Sequence, residues 1–165
     1  FTGVIPVINH AMSEMEGITG QSAELVCAIY ATAPFLSAAD ITRGHDALIQ
    51  ATQQDYAISV TPFAFPVQRA LKAIHSETGP GLAPLYPEFI GSRSQDLEEA
   101  FHDAAQFFWC RPNALKEEAP VFSPRAIPIM IAPERVQDID TPYDWDRAEL
   151  MFAALRKDDG RTPQR

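Results

Sequence analysis

Apolar residues at Val4, Val7, Ile8, Ala11 and Met15 recur at helical spacing and predict a helix over residues 4–15. The run 24–30 (ELVCAIY) is apolar after its first residue and rich in β-formers, the pattern of a buried strand. Residues 31–35 leave it as a loop, because Pro34 cannot donate to a ladder. Ser37 is placed to cap a second helix over 37–53, with Asp40 in its first turn. Residues 56–60 (YAISV) form the next apolar strand, ending at Thr61-Pro62. Helix, strand, helix, strand is the rhythm of a doubly wound α/β sheet, whose ligands sit beyond the carboxyl ends of the strands. The loop at 31–35 lies at such an end.

The middle of the chain changes character. Pro62, Pro66, Pro80, Pro84 and Pro87, with Gly79-Pro80-Gly81 among them, read as an irregular excursion out of the sheet. Residues 67–74 fit either an edge strand or a helical turn. Residues 91–96 are polar and turn-like, and 97–102 are short and amphipathic. The pattern then returns to strand at 106–110 (QFFWC), short helix at 113–118 and strand at 127–131 (IPIMI). The strands at 24–30, 56–60 and 127–131 are apolar along their length, which fits burial on both faces. The tail at 156–165 is charged and reads as frayed.

A helix start is written into Thr141-Pro142-Tyr143-Asp144. Threonine stands at the N-cap, proline at the first position and an acid at the third. Trp145, Ala148, Leu150, Met151, Phe152 and Leu155 continue as an apolar face. Just upstream, Asp138 and Asp140 are two residues apart in a segment expected to be extended, so both carboxylates should point one way. Parallel carboxylates repel unless a cation lies between them, and hard oxygen ligands suit Mg²⁺ with substrate phosphates. Equally, two acids before a helix can simply favour its dipole and bind water.

Composition narrows the partners. The 165 residues carry a formal net charge of −9, which argues against nucleic acid or an anionic membrane surface. One domain of this size can bury a real core. No apolar run reaches the length of a membrane span, and no stretch has signal-peptide anatomy. The first residue is Phe1 rather than Met, so the chain reads as cut at its start. Cys27 and Cys110 lie far apart in apolar runs, which points to buried thiols in a reducing, cytoplasmic setting. His10, His45, His75 and His102 show no ligand spacing.

Further groupings bear on chemistry. Gln68-Arg69 follows the stiff run 63–66, which suits a carboxylate ligand or an arginine stem packed on Phe65. Arg93-Ser94-Gln95-Asp96, with His102 and Gln106, suits a polyhydroxylated, amide-bearing ligand or a solvated turn. Tyr30, Thr32 and Ser94 are candidate hydroxyls, without a Ser/His/Asp arrangement. Neither GxGxxG nor GxxxxGK[ST] occurs.

Three phrases go further: Ala28-Ile29-Tyr30-Ala31-Thr32-Ala33-Pro34-Phe35-Leu36, Arg93-Ser94-Gln95-Asp96-Leu97 and Gln137-Asp138-Ile139-Asp140-Thr141. Together they resemble the cytidylyltransferases of nine-carbon sugar acids, the acylneuraminate cytidylyltransferase family. Pro66-Val67-Gln68-Arg69-Ala70-Leu71 and His102-Asp103-Ala104-Ala105-Gln106-Phe107 resemble the branch acting on pseudaminic acid. The likeness runs from Thr2 to about Leu155. It implies a Rossmann-like nucleotide-sugar transferase fold with a mixed, mainly parallel sheet, Mg²⁺ dependence and a homodimer. The implied reaction moves CMP from CTP to the sugar's anomeric hydroxyl, with pyrophosphate leaving. Asp138 and Asp140 match the family's metal-binding and catalytic pair, and Thr2 a stretch lining the cytidine site. Tyr30 and Thr32 match the loop under the sugar; Arg69, Arg93, Gln95, His102 and Gln106 lie in segments lining the sugar pocket. The resemblance implies one domain over 1–165, with an excursion at about 66–109 that crosses to the partner subunit. Val4 stands where the family phrase has a second Thr, and Ala105 where Gly is usual.

Nothing in the chain matches the basic, Gly-containing loop with which such enzymes begin. The expectation is therefore the C-terminal part of the fold, N-terminally incomplete, with sheet edges exposed and loose folding when expressed alone. A cytidylyltransferase for sialic or legionaminic acid is the near alternative. A non-catalytic dimerising remnant is the far one.

Overall fold

The computed structural model describes residues 3–158. The elements run α1 (Val4–Thr19), β1 (Val26–Ile29), α2 (Ala38–Gln50), β2 (Tyr56–Pro62), β3 (Leu71–Ser76), β4 (Gly79–Pro84), β5 (Phe101–Cys110), α3 (Pro112–Lys116), β6 (Ala126–Met130) and α4 (Pro142–Asp158). They divide between two compact units, one of Phe1–Val60 with Asp103–Arg165 and one of Thr61–His102.

In the first unit the strands order as β1-β5-β2-β6. β2 and β6 run parallel, with Ser59 opposite Ile129, and β1 and β5 run antiparallel, with Ala28 opposite Phe108. The sheet is therefore mixed. Side chains alternate along β5, so Phe107 and Phe108 enter different cores. On one face Phe107 packs with Leu48 of α2, Ala57, Ile129 and Ile131. On the other, Phe108 packs with Tyr56, Ile58 and Leu115, against Ile5, Ile8 and Met12 of α1. Helices cover both faces, the layering expected of an α/β unit, and each fully buried phenylalanine contributes on the order of 1.5–3 kcal/mol. α2 lies so close that a Cβ at Gly44 would stand 2.8 Å from Phe107 Cε2 and 2.9 Å from Trp109 Cδ1. The indole Nε1 of Trp109 donates to the Ile41 carbonyl at 2.9 Å.

Burial on both faces holds for β2, whose Tyr56, Ala57, Ile58 and Ser59 are all buried, but not for the other two apolar strands. β1 is shorter than expected and ends on Ile29, which is 54% exposed; β6 buries only Ile129. Both are outer strands of the sheet in the described residues, so each has a ladder neighbour on one side only. Among other differences, α1 continues to Thr19 before Gly20 closes it in the left-handed region. β5 starts five residues before the expected 106. Ala105, where the family phrase has Gly, adopts φ 50°, a backbone that favours glycine. The turn is held by Asp103 Oδ1, which accepts the Ala105 amide at 2.8 Å. Ser59 Oγ accepts the amides of Gln106 (3.3 Å) and Phe107 (3.1 Å).

The second unit contains a hairpin that the proline pattern concealed. Residues 67–69 form a 3-10 turn, after which β3 pairs antiparallel with β4 from Leu71–Pro84 to Ser76–Gly79. Proline is tolerated because each strand has a ladder on one side only. Gly79 takes φ 112° where the chain turns back. Every residue of β3 is exposed. The second unit spans 61–102, so residues 103–109, included in the excursion expected at 66–109, belong to the first unit. No helix among the described residues is long and apolar enough to cross a membrane.

Candidate functional site

The segment bearing Asp138 and Asp140 has no helix or strand between the 3-10 turn Pro133–Arg135 and α4, so side chains hold it. At its far end the expected cap forms. Thr141 Oγ1 accepts the Asp144 amide at 3.3 Å, while Asp144 Oδ2 accepts the Thr141 hydroxyl (2.7 Å), the Thr141 amide (2.9 Å) and the Asp140 amide (3.3 Å). The Thr141 hydroxyl, then the Thr141 and Asp140 amides and Gln137, keep the Asp144 carboxyl below the usual range. Gln137 is buried and donates Nε2 to the Asp138 carbonyl at 2.7 Å. The helix that follows uses little of its expected apolar face. Ala148 is buried, but Trp145, Leu150 and Phe152 are exposed.

At the near end Arg135 is anchored twice. Its Nη1 donates to Asp40 Oδ2 at 2.6 Å, and its carbonyl accepts Nε2 of the buried Gln106. Asp40 also accepts from Ser37 Oγ (2.6 Å) and Arg43 Nη2 (2.7 Å). Burial would raise the Asp40 carboxyl, yet the hydrogen bonds from Arg135 and Ser37 and the charges of Arg135 and Arg43 hold it below the usual range.

Between these anchors Asp138 is half-buried and Asp140 exposed. One Asp138 oxygen, Oδ1, is enclosed without a hydrogen-bond partner among the described residues, and so is Oε1 of Gln106. A buried carboxylate oxygen without a donor is costly unless something positive meets it. A divalent ion accepting oxygen ligands fits that need. No group of three or more His, Cys, Asp or Glu side chains among the described residues could hold a metal alone. Asp138 and Asp140 carry hard carboxylate oxygens of the kind such an ion takes, and a pair of them would need further ligands.

Tyr30 stands near Asp138 and Asp103. Burial, then the charges of Asp103 and Asp138, push its hydroxyl above the ordinary tyrosine value, so it is a neutral donor at neutral pH. Its ring lies 6.4 Å from that of Phe108. Thr32 is half-buried in the turn after β1. A cavity of about 310 Å³ opens beside Tyr30 and Asp103, with Gly3, Val4, Ile58, Phe108 and Phe122 among its walls. Tyr30, Thr32, Gln106, Asp138 and Asp140 all belong to the first unit.

The other sugar-pocket candidates belong to the second unit. Arg69 Nη2 donates to the Ser92 carbonyl at 2.5 Å, while Phe65 stays 82% exposed and offers little packing to an arginine stem. Arg93 forms a two-pronged pair with Asp96, Nε at 2.7 Å and Nη2 at 3.1 Å. Gln95 is exposed beside it, and the His102 ring lies 4.9 Å from Phe63. Thr2 lies outside the described residues. Asp40, Arg135 and Ser59 were not singled out from sequence as site residues. A cap acid, a loop arginine and a strand serine carry no local mark of the distant groups they meet.

The α/β arrangement matches a fold already solved. The structure of CMP:2-keto-3-deoxy-manno-octonic acid synthetase complexed with CTP superposes with a TM-score of 0.58 over 94% of this chain and 70% of that one. The two are 9% identical, so the likeness speaks for the fold alone. No protein-family model matches the chain. The more particular relationship comes from sequence: the chain is homologous to enzymes named pseudaminic acid cytidylyltransferase. It is 32% identical over 127 residues to that of Campylobacter jejuni subsp. jejuni serotype O:23/36 (strain 81-176), and likewise to that of serotype O:2. A Helicobacter pylori protein named pseudaminic acid cytidylyltransferase and UDP-2,4-diacetamido-2,4,6-trideoxy-beta-L-altropyranose hydrolase is 27% identical over 125 residues. The Campylobacter matches cover 77% of this chain and 53% of the relatives, so the chain spans about half their length.

Proposed function

We propose that this chain carries the metal-binding and sugar-acid-binding part of an enzyme that transfers CMP from CTP to the anomeric hydroxyl of pseudaminic acid. The anomeric oxygen forms a bond to the α-phosphorus as its proton passes to solvent, the bond to the β-phosphate oxygen breaks, and CMP-pseudaminic acid and pyrophosphate result. The reading rests on the names of the homologues together with one observation here, the enclosed, unpaired Oδ1 of Asp138 in the Gln137-Asp138-Ile139-Asp140 segment. Asp138 and Asp140 would hold Mg²⁺, which neutralises charge on the phosphates during transfer. The protein's own contribution is placement: Asp144 and Gln137 fix the segment, and neutral Tyr30 donates from the loop after β1. Arg69, Arg93, Gln95 and His102 would supply contacts to the carboxylate, hydroxyls and amides of the sugar. Thr2 would contribute to the cytidine site.

A homodimer belongs to the same reading. A two-stranded hairpin is marginal in water, and Leu71 and Leu82, which the register places on one face of β3–β4, are 54% and 69% exposed, an apolar pair suited to a second copy. A cytoplasmic setting fits Cys27 and Cys110, free thiols that burial pushes up to about 11 and about 12.

The test is an assay of the intact protein containing this chain, with CTP, Mg²⁺ and either pseudaminic acid or N-acetylneuraminic acid. A wide preference in kcat/KM for pseudaminic acid is expected, because buried polar groups shaped for one set of amides are left unpaired by the other. Equal turnover of both acids overturns the choice of sugar; no turnover of either overturns the activity.

A further inference from the structure

The buried Asp40–Arg135 pair stands outside the reaction as described, yet it holds the strand-free segment that carries the carboxylates. Arg135 lies three residues before Asp138, and its side chain is about one-quarter exposed. A guanidinium so near in sequence is the natural partner for a half-buried carboxylate with an unpaired oxygen. Instead it is drawn the other way, to the first turn of α2. There Asp40, 4% exposed and 95 residues distant, accepts its Nη1 at 2.6 Å. The carbonyl of Arg135 is held as well, by Nε2 of Gln106. Ser37 and Arg43 hold Asp40 in turn, and Arg43 is tied to the Met130 carbonyl at 2.7 Å. A buried ion pair is often no better for stability than an apolar pair of the same size, so stability alone explains it poorly.

We propose that Asp40 is a positioning residue for the carboxylate pair: by engaging Arg135 it keeps the nearest loop cation off Asp138 and leaves Asp138 and Asp140 free for a divalent ion. The inference rests on the metal reading above. With Asp40 neutralised, Arg135 loses its charged partner and turns to Asp138, where it competes directly with the ion. The competition is electrostatic, since each partner satisfies the same carboxylate oxygen.

The experiment titrates Mn²⁺ into the intact protein in the presence of CTP, read by water-proton relaxation, for wild type, Asp40→Asn and Asp40→Asn/Arg135→Met. The single variant is expected to bind Mn²⁺ about tenfold more weakly or worse, and the double variant to recover to within about threefold, because no freed cation remains. In turnover, the Mg²⁺ half-saturation of Asp40→Asn rises while kcat at saturating Mg²⁺ stays near wild type. A merely structural role would lower the melting temperature of both variants and leave the metal titrations alone. Wild-type affinity in a folded Asp40→Asn protein overturns the proposal, as does a double variant as weak as the single. Should Asp40→Asn not fold, Arg135→Lys reads the same quantity: its shorter side chain keeps the charge but gives up the Nη1 bond to Asp40 Oδ2. Weaker Mn²⁺ binding there supports the proposal and unchanged binding overturns it. Wild-type Mn²⁺ binding that Asp138→Asn leaves untouched removes the metal reading itself, and this inference with it.

Discussion

The hydroxyl of Ser59 lies 3.1 Å from the amide of Phe107 and accepts its hydrogen bond at the centre of the sheet, with the Gln106 amide 3.3 Å from the same oxygen. A serine buried between aromatic and aliphatic side chains is thereby accounted for. Ala105 takes a left-handed backbone, and the two amides that follow it find a side-chain acceptor. The consequence reaches the candidate site, because Gln106 is the residue that grips the Arg135 carbonyl.

Ser59→Ala should leave both amides without that acceptor. Buried, unsatisfied donors cost roughly 1–3 kcal/mol. The loss should appear as a lower midpoint in urea unfolding with an unchanged slope. An unchanged midpoint would mean that other acceptors take over.

Ala105→Gly should be the rare core-adjacent substitution that helps. At φ 50° an L-residue carries a penalty of about 1–2 kcal/mol, which glycine avoids at some cost in unfolded-state entropy. A small rise in melting temperature is expected, and a clear fall for Ala105→Val, whose branched Cβ suits this backbone least.

Gly44→Ala tests the approach of α2 to β5. The new methyl would meet the Phe107 and Trp109 rings at 2.8 and 2.9 Å. Overpacking of this kind costs about 1–3 kcal/mol, against about 1 kcal/mol gained in helix propensity. Thermal unfolding should show a net loss.

The Asp40 carboxyl gives a stability–pH prediction with a definite sign. Its folded value is depressed, so it binds fewer protons folded than unfolded near the carboxylate range. Its contribution is therefore fully present above the unfolded value of about 3.9 and is lost as pH falls through the lower folded value. Urea midpoints of wild type and Asp40→Asn should differ at neutral pH and converge in acid. A gap that widens on acidification would reverse the sign and refute the assignment.

Asp140→Ala addresses the proposed metal pair. Asp140 is exposed, so packing loses little, while electrostatic stabilisation of phosphates in a water-poor site is large. CMP transfer by the intact protein should fall by about two orders of magnitude or more with the melting temperature nearly unchanged. Activity within a few-fold of wild type would return both aspartates to the helix-dipole role.

Much of this is legible in the sequence. The start of α4 followed from Thr141, Pro142 and Asp144 because a capping box closes within four residues and needs no distant partner. The rhythm of α1, β1, α2 and β2 followed from hydrophobic period for the same local reason. The hairpin β3–β4 was hidden, because its prolines signal a break unless each strand is known to be paired on one side only.

The chain by itself determined the type of the periodic elements α1, β1, α2 and β2 and the capped start of α4, all set by interactions a few residues long. Only the tertiary structure decided which apolar strand is central. β1, β2 and β6 look alike in sequence, yet exposure depends on whether a neighbour lies on each side. It also decided that Arg135 turns to Asp40 rather than toward Asp138, since that choice is made by the place of a helix terminus 95 residues away. Short-range hydrogen bonding and periodicity are written along the chain, whereas burial and ion pairing are properties of which distant segments the fold brings together.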